Sequence, residues 1–194
     1  MSHGAAGSAS PWLLRWAHLI AAGGSVLDVA AGSGRHTRWL AGRGFALTAI
    51  DRDAAAMQSL ADCARTIVAD IENGPWPLDG QTFDAVLVTN YLWRPLFASL
   101  VAAVAPGGVL VYETFAAGNE SVGRPARPDF LLAAGELLVA VPGLRIVAYE
   151  DGFLDDPQRF VQRLAAVREL PSEAPVRHPL AGPGGDAGSL ESTG

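Results

Sequence analysis

Two rhythms of apolar residues run along the chain. After Ser10-Pro11, an N-cap followed by proline at the first helical position, Trp12, Leu13, Trp16, Leu19 and Ile20 fall at helical spacing until Gly23-Gly24, which predicts an amphipathic opening helix. Short runs that are apolar on both faces then alternate with helical stretches. Residues 26–30, 45–50, 66–69, 83–88 and 109–115 read as buried strands. Residues 35–41, 53–62 (capped by Asp53), 91–104 and 129–141 read as helices. Such strands joined through helices predict an α/β domain whose parallel sheet is covered on both sides, with right-handed crossovers. Residues 145–150 and 160–167 have no helix between them and are expected to pair antiparallel at one edge.

The pattern covers residues 10–170 as a single domain. Residues 1–9 are small and polar, and residues 171–194 are rich in Pro, Gly and Ser, so both ends are expected to be flexible tails. Residues 95–112 carry no formal charge and rival a membrane span in length, but Pro106-Gly107-Gly108 divides them into a buried helix, a turn and a strand.

Composition narrows the function. All 14 basic residues among the 194 are Arg, which removes Schiff-base chemistry, a Lys nucleophile and the phosphate-binding P-loop. A net charge of -6 argues against nucleic acid and anionic membrane as partners. The lone Cys63 excludes an intrachain disulfide or a Cys-based zinc cage and reads as a small buried hydrophobe in a reducing compartment. The N-terminus lacks the layout of a signal peptide, so the cytoplasm is the expected location. The 4 histidines show no metal-ligand spacing, so no metal is expected.

In open α/β sheets ligands bind beyond the carboxyl ends of the strands. Here those ends are polar: Asp28 before Ala30-Ala31-Gly32-Ser33-Gly34, then Asp51, Asp70, Thr89-Asn90, and Glu113-Thr114. Asp51, Asp70 or Asn90 could each cap a helix or hold a turn, but carboxylates and an amide at successive strand ends are costly unless they meet a ligand. The Gly-rich turn permits close backbone approach, and Asp28 beside it suits a cation better than a pyrophosphate. A nicotinamide dinucleotide would want its third glycine where Thr37 stands. The best-matched cofactor has an ammonium, a carboxylate, a sulfonium and an adenosine, with no phosphate.

The segment from Val26 to Thr37 resembles the first motif of class I S-adenosylmethionine-dependent methyltransferases, with Ala30 in place of the first glycine. Asp51 stands where that family places the acid on the adenosine ribose, Asp70-Ile71 where an acid and an apolar neighbour frame the adenine, and Asn90 in the fourth motif. Ala105 to Leu110 is similar to the turn before strand five. The resemblance implies a doubly wound Rossmann-like methyltransferase fold, mostly parallel with an antiparallel late strand at one edge. It also implies S-adenosylmethionine as cofactor and in-line methyl transfer to a small-molecule acceptor. Asp28, Ala30, Gly32, Gly34, Arg35, Asp51, Arg52, Asp70, Ile71 and Asn90 are the implied cofactor-binding residues. A closer resemblance is to the tellurite-resistance-type small-molecule methyltransferases. A nicotinamide-dependent oxidoreductase and a noncatalytic adenosine-ligand-binding module stay open as alternatives, and no residue stands out as a catalytic acid or base.

Several other residues have both a structural and a functional reading. Glu113 is either a base or a structural hydrogen-bond partner, Trp93 a substrate wall or a packed helix residue, and His36 a cofactor contact or an exposed first-turn residue. The loop 116–128, with Arg124 and Arg127, is a substrate lid or a surface connection. Asp155, Asp156 and Glu113 on the acceptor side would favour a neutral or cationic acceptor. The opening helix either closes over the cofactor or completes the core.

Overall fold

The structure, a computed structural model, describes residues 8–182. Its strands are β1 (Ser25–Val29), β2 (Ala46–Asp51), β3 (Arg65–Val68), β4 (Phe83–Thr89), β5 (Val104–Phe115), β6 (Arg145–Asp155) and β7 (Gln158–Val167). They form one sheet in the order β3-β2-β1-β4-β5-β7-β6. Strands β1 to β5 pair in parallel, whereas β7 is antiparallel to both β5 and β6. The expected antiparallel pairing at one edge is therefore present, with β7 inserted between β5 and the outermost β6.

Five short helices flank the sheet among the described residues: α1 (Pro11–Trp16), α2 (Arg35–Ala41), α3 (Ala54–Gln58), α4 (Phe97–Ala102) and α5 (Glu136–Ala140). Ser10 caps α1 by accepting from the Trp12 amide at 3.1 Å, and Asp53 caps α3. Apolar side chains on the two faces of the sheet form separate cores. One holds Leu27, Val86, Leu110 and Leu164 under α4 and α5; the other holds Val26, Leu87, Val111 and Ala165 under α1 and α2. Trp12 and Trp16 are each only 1% exposed, and the Trp12 indole Nε1 donates to the Leu164 carbonyl at 2.9 Å. The opening helix thus completes the core rather than closing over the rim.

Three elements depart from the sequence pattern. The helix expected over 91–104 shrinks to Phe97–Ala102 because Asn90 is left-handed (φ +56°) and Trp93 is extended (φ -139°, ψ 99°), so that only a 3-10 turn over Arg94–Leu96, with Pro95 near its start, leads into the helix. The helix expected over 129–141 shrinks to Glu136–Ala140, since Gly135 adopts φ +72° and interrupts the run. Pro106-Gly107-Gly108 does not end β5. Gly107 donates to the Arg168 carbonyl and Arg168 donates to that of Gly108, so the strand continues through a bulge.

Residues 171–182 form no helix or strand, yet His18 reaches the Pro179 carbonyl and His178 reaches Glu169. The remainder of the expected tails, residues 1–7 and 183–194, lies outside the described residues. Cys63 is half-buried rather than fully so. No helix among the described residues is long and apolar enough to cross a membrane.

Candidate functional site

The carboxyl ends of β1 to β4 meet at one rim, and the loop leaving β1 is shaped by backbone conformations that few residues adopt. Ala30, Gly32 and Gly34 all have positive φ, at +54°, +54° and +76°. A side chain at Gly34 would overlap Leu60, which is fully buried against Met57, Ala49 and Ala31. At Gly32 nothing lies within 4 Å of where a Cβ would stand, so the loop presents bare backbone to open space there. Ala30 has no such excuse. Its left-handed conformation costs about 1–2 kcal/mol for an L-residue, partly offset by the unfolded-state entropy that glycine would add. Ala30→Gly is accordingly expected to raise unfolding stability by about 0.5–1 kcal/mol in urea titration. An unchanged or lower midpoint would show that the strain is not borne at this residue.

Asp51 ties this loop to the next element. Its Oδ2 accepts the Gly32 amide at 2.9 Å and its Oδ1 accepts the Asp53 amide at 2.9 Å. Ala30, Asp51, Arg52, Asp70 and Ile71 line one cavity of about 290 Å³, whose far side is closed by Glu72 and Tyr91. Asp70 also holds its own turn: Oδ1 accepts the Glu72 and Asn73 amides, and Oδ2 accepts from the Asn73 side chain. These bonds, that from the Asn73 side chain foremost, hold its carboxyl below the usual range. Asp70 thus holds its turn while lining the cavity.

A second cavity of about 230 Å³ shares Glu72 and Tyr91 with the first and adds Asn90, Thr114, Phe115 and Phe130. Asn90 is fixed by its amide, which donates to the Glu113 carbonyl at 2.8 Å. The Tyr91 hydroxyl is buried beside the Glu72 carboxylate. Burial first, then the neighbouring Glu72 carboxylate, pushes the Tyr91 phenol above its ordinary pKa.

Other expected cofactor residues stand off the cavity walls. Asp28 is buried beneath the loop, where its Oδ2 accepts the Thr37 hydroxyl at 2.6 Å, and burial pushes its carboxyl up to about 6. Its place is to hold the first turn of α2. Gly34 packs against Leu60, and Arg35 donates to the Ser8 carbonyl. His36 is buried rather than exposed, its Nε2 has no partner, and burial followed by Arg35 pulls its pKa down to about 4.

Glu113 is no free base. It is 1% exposed and accepts from Ser10 Oγ at 3.0 Å and from Arg163 at 3.2 Å, with Arg159 at 3.6 Å. Asp155 and Asp156 are exposed at the hairpin tip and do not converge with it. Trp93 is half-buried against the core. Arg94 is taken up by both Glu136 oxygens. The loop after β5 is anchored by the buried Asn119, which bonds the Pro125 carbonyl and the Phe160 amide, and it supplies Pro125 to the second cavity. Sequence pattern does not single out Glu72, Phe115, Phe130 or Arg159. The only signal for Glu72 is its place immediately after Asp70-Ile71.

Residues 26–108 match the family model described as a methyltransferase domain. No curated protein sequence matches the chain. Among solved structures, TehB from Haemophilus influenzae superposes with a TM-score of 0.65 at 18% identity, over 78% of this chain and 60% of that one. A SAM-dependent methyltransferase from Methanosarcina mazei gives 0.65 at 13% identity, over 84% and 100% of the respective chains. Coclaurine N-methyltransferase, solved with N-methylheliamine and SAH, gives 0.56 at 17% identity, over 71% and 48%. The chain thus spans about 60% of the length of TehB and about half that of the coclaurine enzyme. Residues 26–108 are thus similar to a methyltransferase domain, and the fold of the chain is similar to that of TehB and of the SAM-dependent methyltransferase from Methanosarcina mazei.

Proposed function

We propose that the chain binds S-adenosylmethionine in the first cavity and transfers its methyl group to a small-molecule acceptor held in the second. One observation carries the reading. Asp51, which holds the amide of the side-chain-free Gly32, walls a cavity together with Asp70 and Ile71, with Arg52 as its one cation. That donor set fits the group. Carboxylates offer acceptors to ribose hydroxyls, Ile71 is an apolar wall for an adenine, and the wall lacks the cluster of cations that a pyrophosphate would demand. The same wall disfavours a nicotinamide dinucleotide.

When bound, the cofactor supplies a methyl group activated by a sulfonium leaving group. Asp51, whose oxygens each keep a free lone pair after accepting one amide, would take the ribose hydroxyls. Gly32 lets the backbone approach closely. Tyr91, on the wall common to the two cavities, and Asn90, on the wall of the second, would hold the reacting groups in line. The work of the chain is alignment and exclusion of water, for which no acid or base is required when the nucleophile is already free.

Titration calorimetry with S-adenosylhomocysteine tests this. Wild type is expected to bind it and to ignore NAD and NADP, and Asp51→Ala is expected to weaken binding by about 1.5–3 kcal/mol, the scale of hydrogen bonds to a charged group. Asp51→Asn, which keeps one acceptor oxygen for the loop, should lose less. Unchanged affinity in Asp51→Ala would remove that residue from the site. Turnover of S-adenosylmethionine with a metabolite panel separates an enzyme from a module that only binds adenosine ligands.

A further inference from the structure

We infer that the methyl acceptor is a small amine, bound as its ammonium ion beside Glu72; the assignment rests on the methyl-transfer reading above. The second cavity carries the argument. Tyr91, Phe115 and Phe130 line it, and Glu72 is its only charged residue. Aromatic faces attract a cation, and a carboxylate at the end of an aromatic chamber completes the complement of an ammonium group. An anionic acceptor would meet Glu72 in a partly desolvated space with no cation on the wall to offset it.

The Tyr91 hydroxyl points the same way: it is buried next to the Glu72 carboxylate, on the wall common to both cavities. An N–H donor from a bound amine would satisfy the phenol oxygen while the ammonium charge faced Glu72. Two arginines stand near without lining it: Arg52 belongs to the first cavity, and Arg159, which reaches the Asn90 side-chain oxygen at 3.5 Å, has its charge met by the buried Glu113 at 3.6 Å. The cavity of about 230 Å³ is at the small end for a ligand site, which suits a molecule of one ring or a short chain.

The chemistry balances. The bound ammonium gives up one proton through Glu72 to solvent, which frees the nitrogen lone pair. That pair forms the N–C bond as the C–S bond breaks, and sulfur keeps the C–S electrons and becomes a neutral thioether. The positive charge passes to the methylated nitrogen, and the product leaves as a secondary ammonium ion.

The test is calorimetry on protein saturated with S-adenosylhomocysteine, using phenethylamine, 2-phenylethanol and phenylacetate as one matched set and butylamine, butanol and butyrate as another. At least one amine is expected to bind about tenfold tighter than its alcohol and its carboxylate, about 1.4 kcal/mol. Glu72→Gln, with wild-type unfolding confirmed, is expected to abolish that preference, and its loss of amine affinity should exceed any loss of S-adenosylhomocysteine affinity by about tenfold. Three outcomes overturn the assignment: a carboxylate binding as tightly as its amine, no amine preferred in either set, or a preference that survives Glu72→Gln. A Glu72→Gln protein that loses S-adenosylhomocysteine as much as amine would place Glu72 on the adenosine instead and overturn it too. Failure of wild type to bind S-adenosylhomocysteine sinks the methyl-transfer reading, and the amine assignment with it.

Discussion

Replacing Glu113 with alanine is expected to destabilise the protein by about 3–5 kcal/mol, the range found when one partner of a buried ion pair is removed. Glu113 is the middle of a run of alternating charges: Arg15 pairs with Glu150, Glu150 with Arg163, and Glu113 with both Arg163 and Arg159. The run begins at the surface and ends at Asn90, whose side-chain oxygen lies 3.5 Å from Arg159. Alanine at 113 leaves two largely buried guanidinium groups and the Ser10 hydroxyl without their common acceptor. Glu113→Gln keeps an acceptor for Ser10 but not the charge, and should fall between wild type and alanine. Pairing Glu113→Ala with Arg159→Met should recover part of the loss, because Arg159 pairs with Glu113 whereas Arg163 keeps Glu150. Urea unfolding measures all three. A loss below about 1 kcal/mol in Glu113→Ala would place the run among the weak surface pairs.

This cluster also shows what a sequence can reveal and what it cannot. The acidic strand ends were visible because strand periodicity puts Asp51, Asp70 and Asn90 at equivalent positions beyond successive apolar runs, and the rim brings those residues to two adjoining cavities. Glu113 shared the pattern, but its partners come from Ser10, 103 positions away, and from Arg163, 50 positions away. Nothing local marks such a pairing. The opening helix had two readings for the same reason: its stripe of Trp12 and Trp16 is equally suited to a lid and to a core, and only the late strand β7 beneath it decides.

Misjudged elements follow one rule. Apolar residues at helical spacing extend past the true helices wherever a tertiary contact takes over the backbone. Residues 131–135 read as helix, yet the Leu131 carbonyl is claimed by Arg94 and the Leu132 amide donates to Phe115. Pro106-Gly107-Gly108 read as a stop, yet the end of β7 pairs across it. Asp28 illustrates the counterpart at the site: an acid next to a glycine loop reads as a ligand contact, and burial under that loop turns it toward Thr37.

Asp28 and His36 give the protein two opposed responses to pH, and single substitutions should separate them. Burial raises the Asp28 carboxyl from 3.8 to about 6. A group raised on folding contributes stability that is full below pH 3.8 and is lost as pH climbs through 6. Burial lowers His36 from 6.5 to about 4. Its contribution is full above pH 6.5 and is lost as pH falls toward 4. At roughly 1.4 kcal/mol per pH unit, each contribution changes by about 3 kcal/mol across its window. Between pH 4 and 6 the windows overlap with opposite slopes, so in wild type the two nearly cancel. Asp28→Asn, which keeps an acceptor for Thr37, removes one slope: relative to wild type, its stability should rise by about 3 kcal/mol as pH goes from 4 to 7. His36→Phe should do the reverse, losing ground to wild type as pH rises over the same range. Other groups titrate alike in all three proteins and drop out of the differences. Urea unfolding at half-unit pH steps reads both. A wild-type minus Asp28→Asn difference that stays flat from pH 4 to 7 would mean that Asp28 titrates as an ordinary carboxylate, and that the space beneath the glycine loop is wet rather than closed.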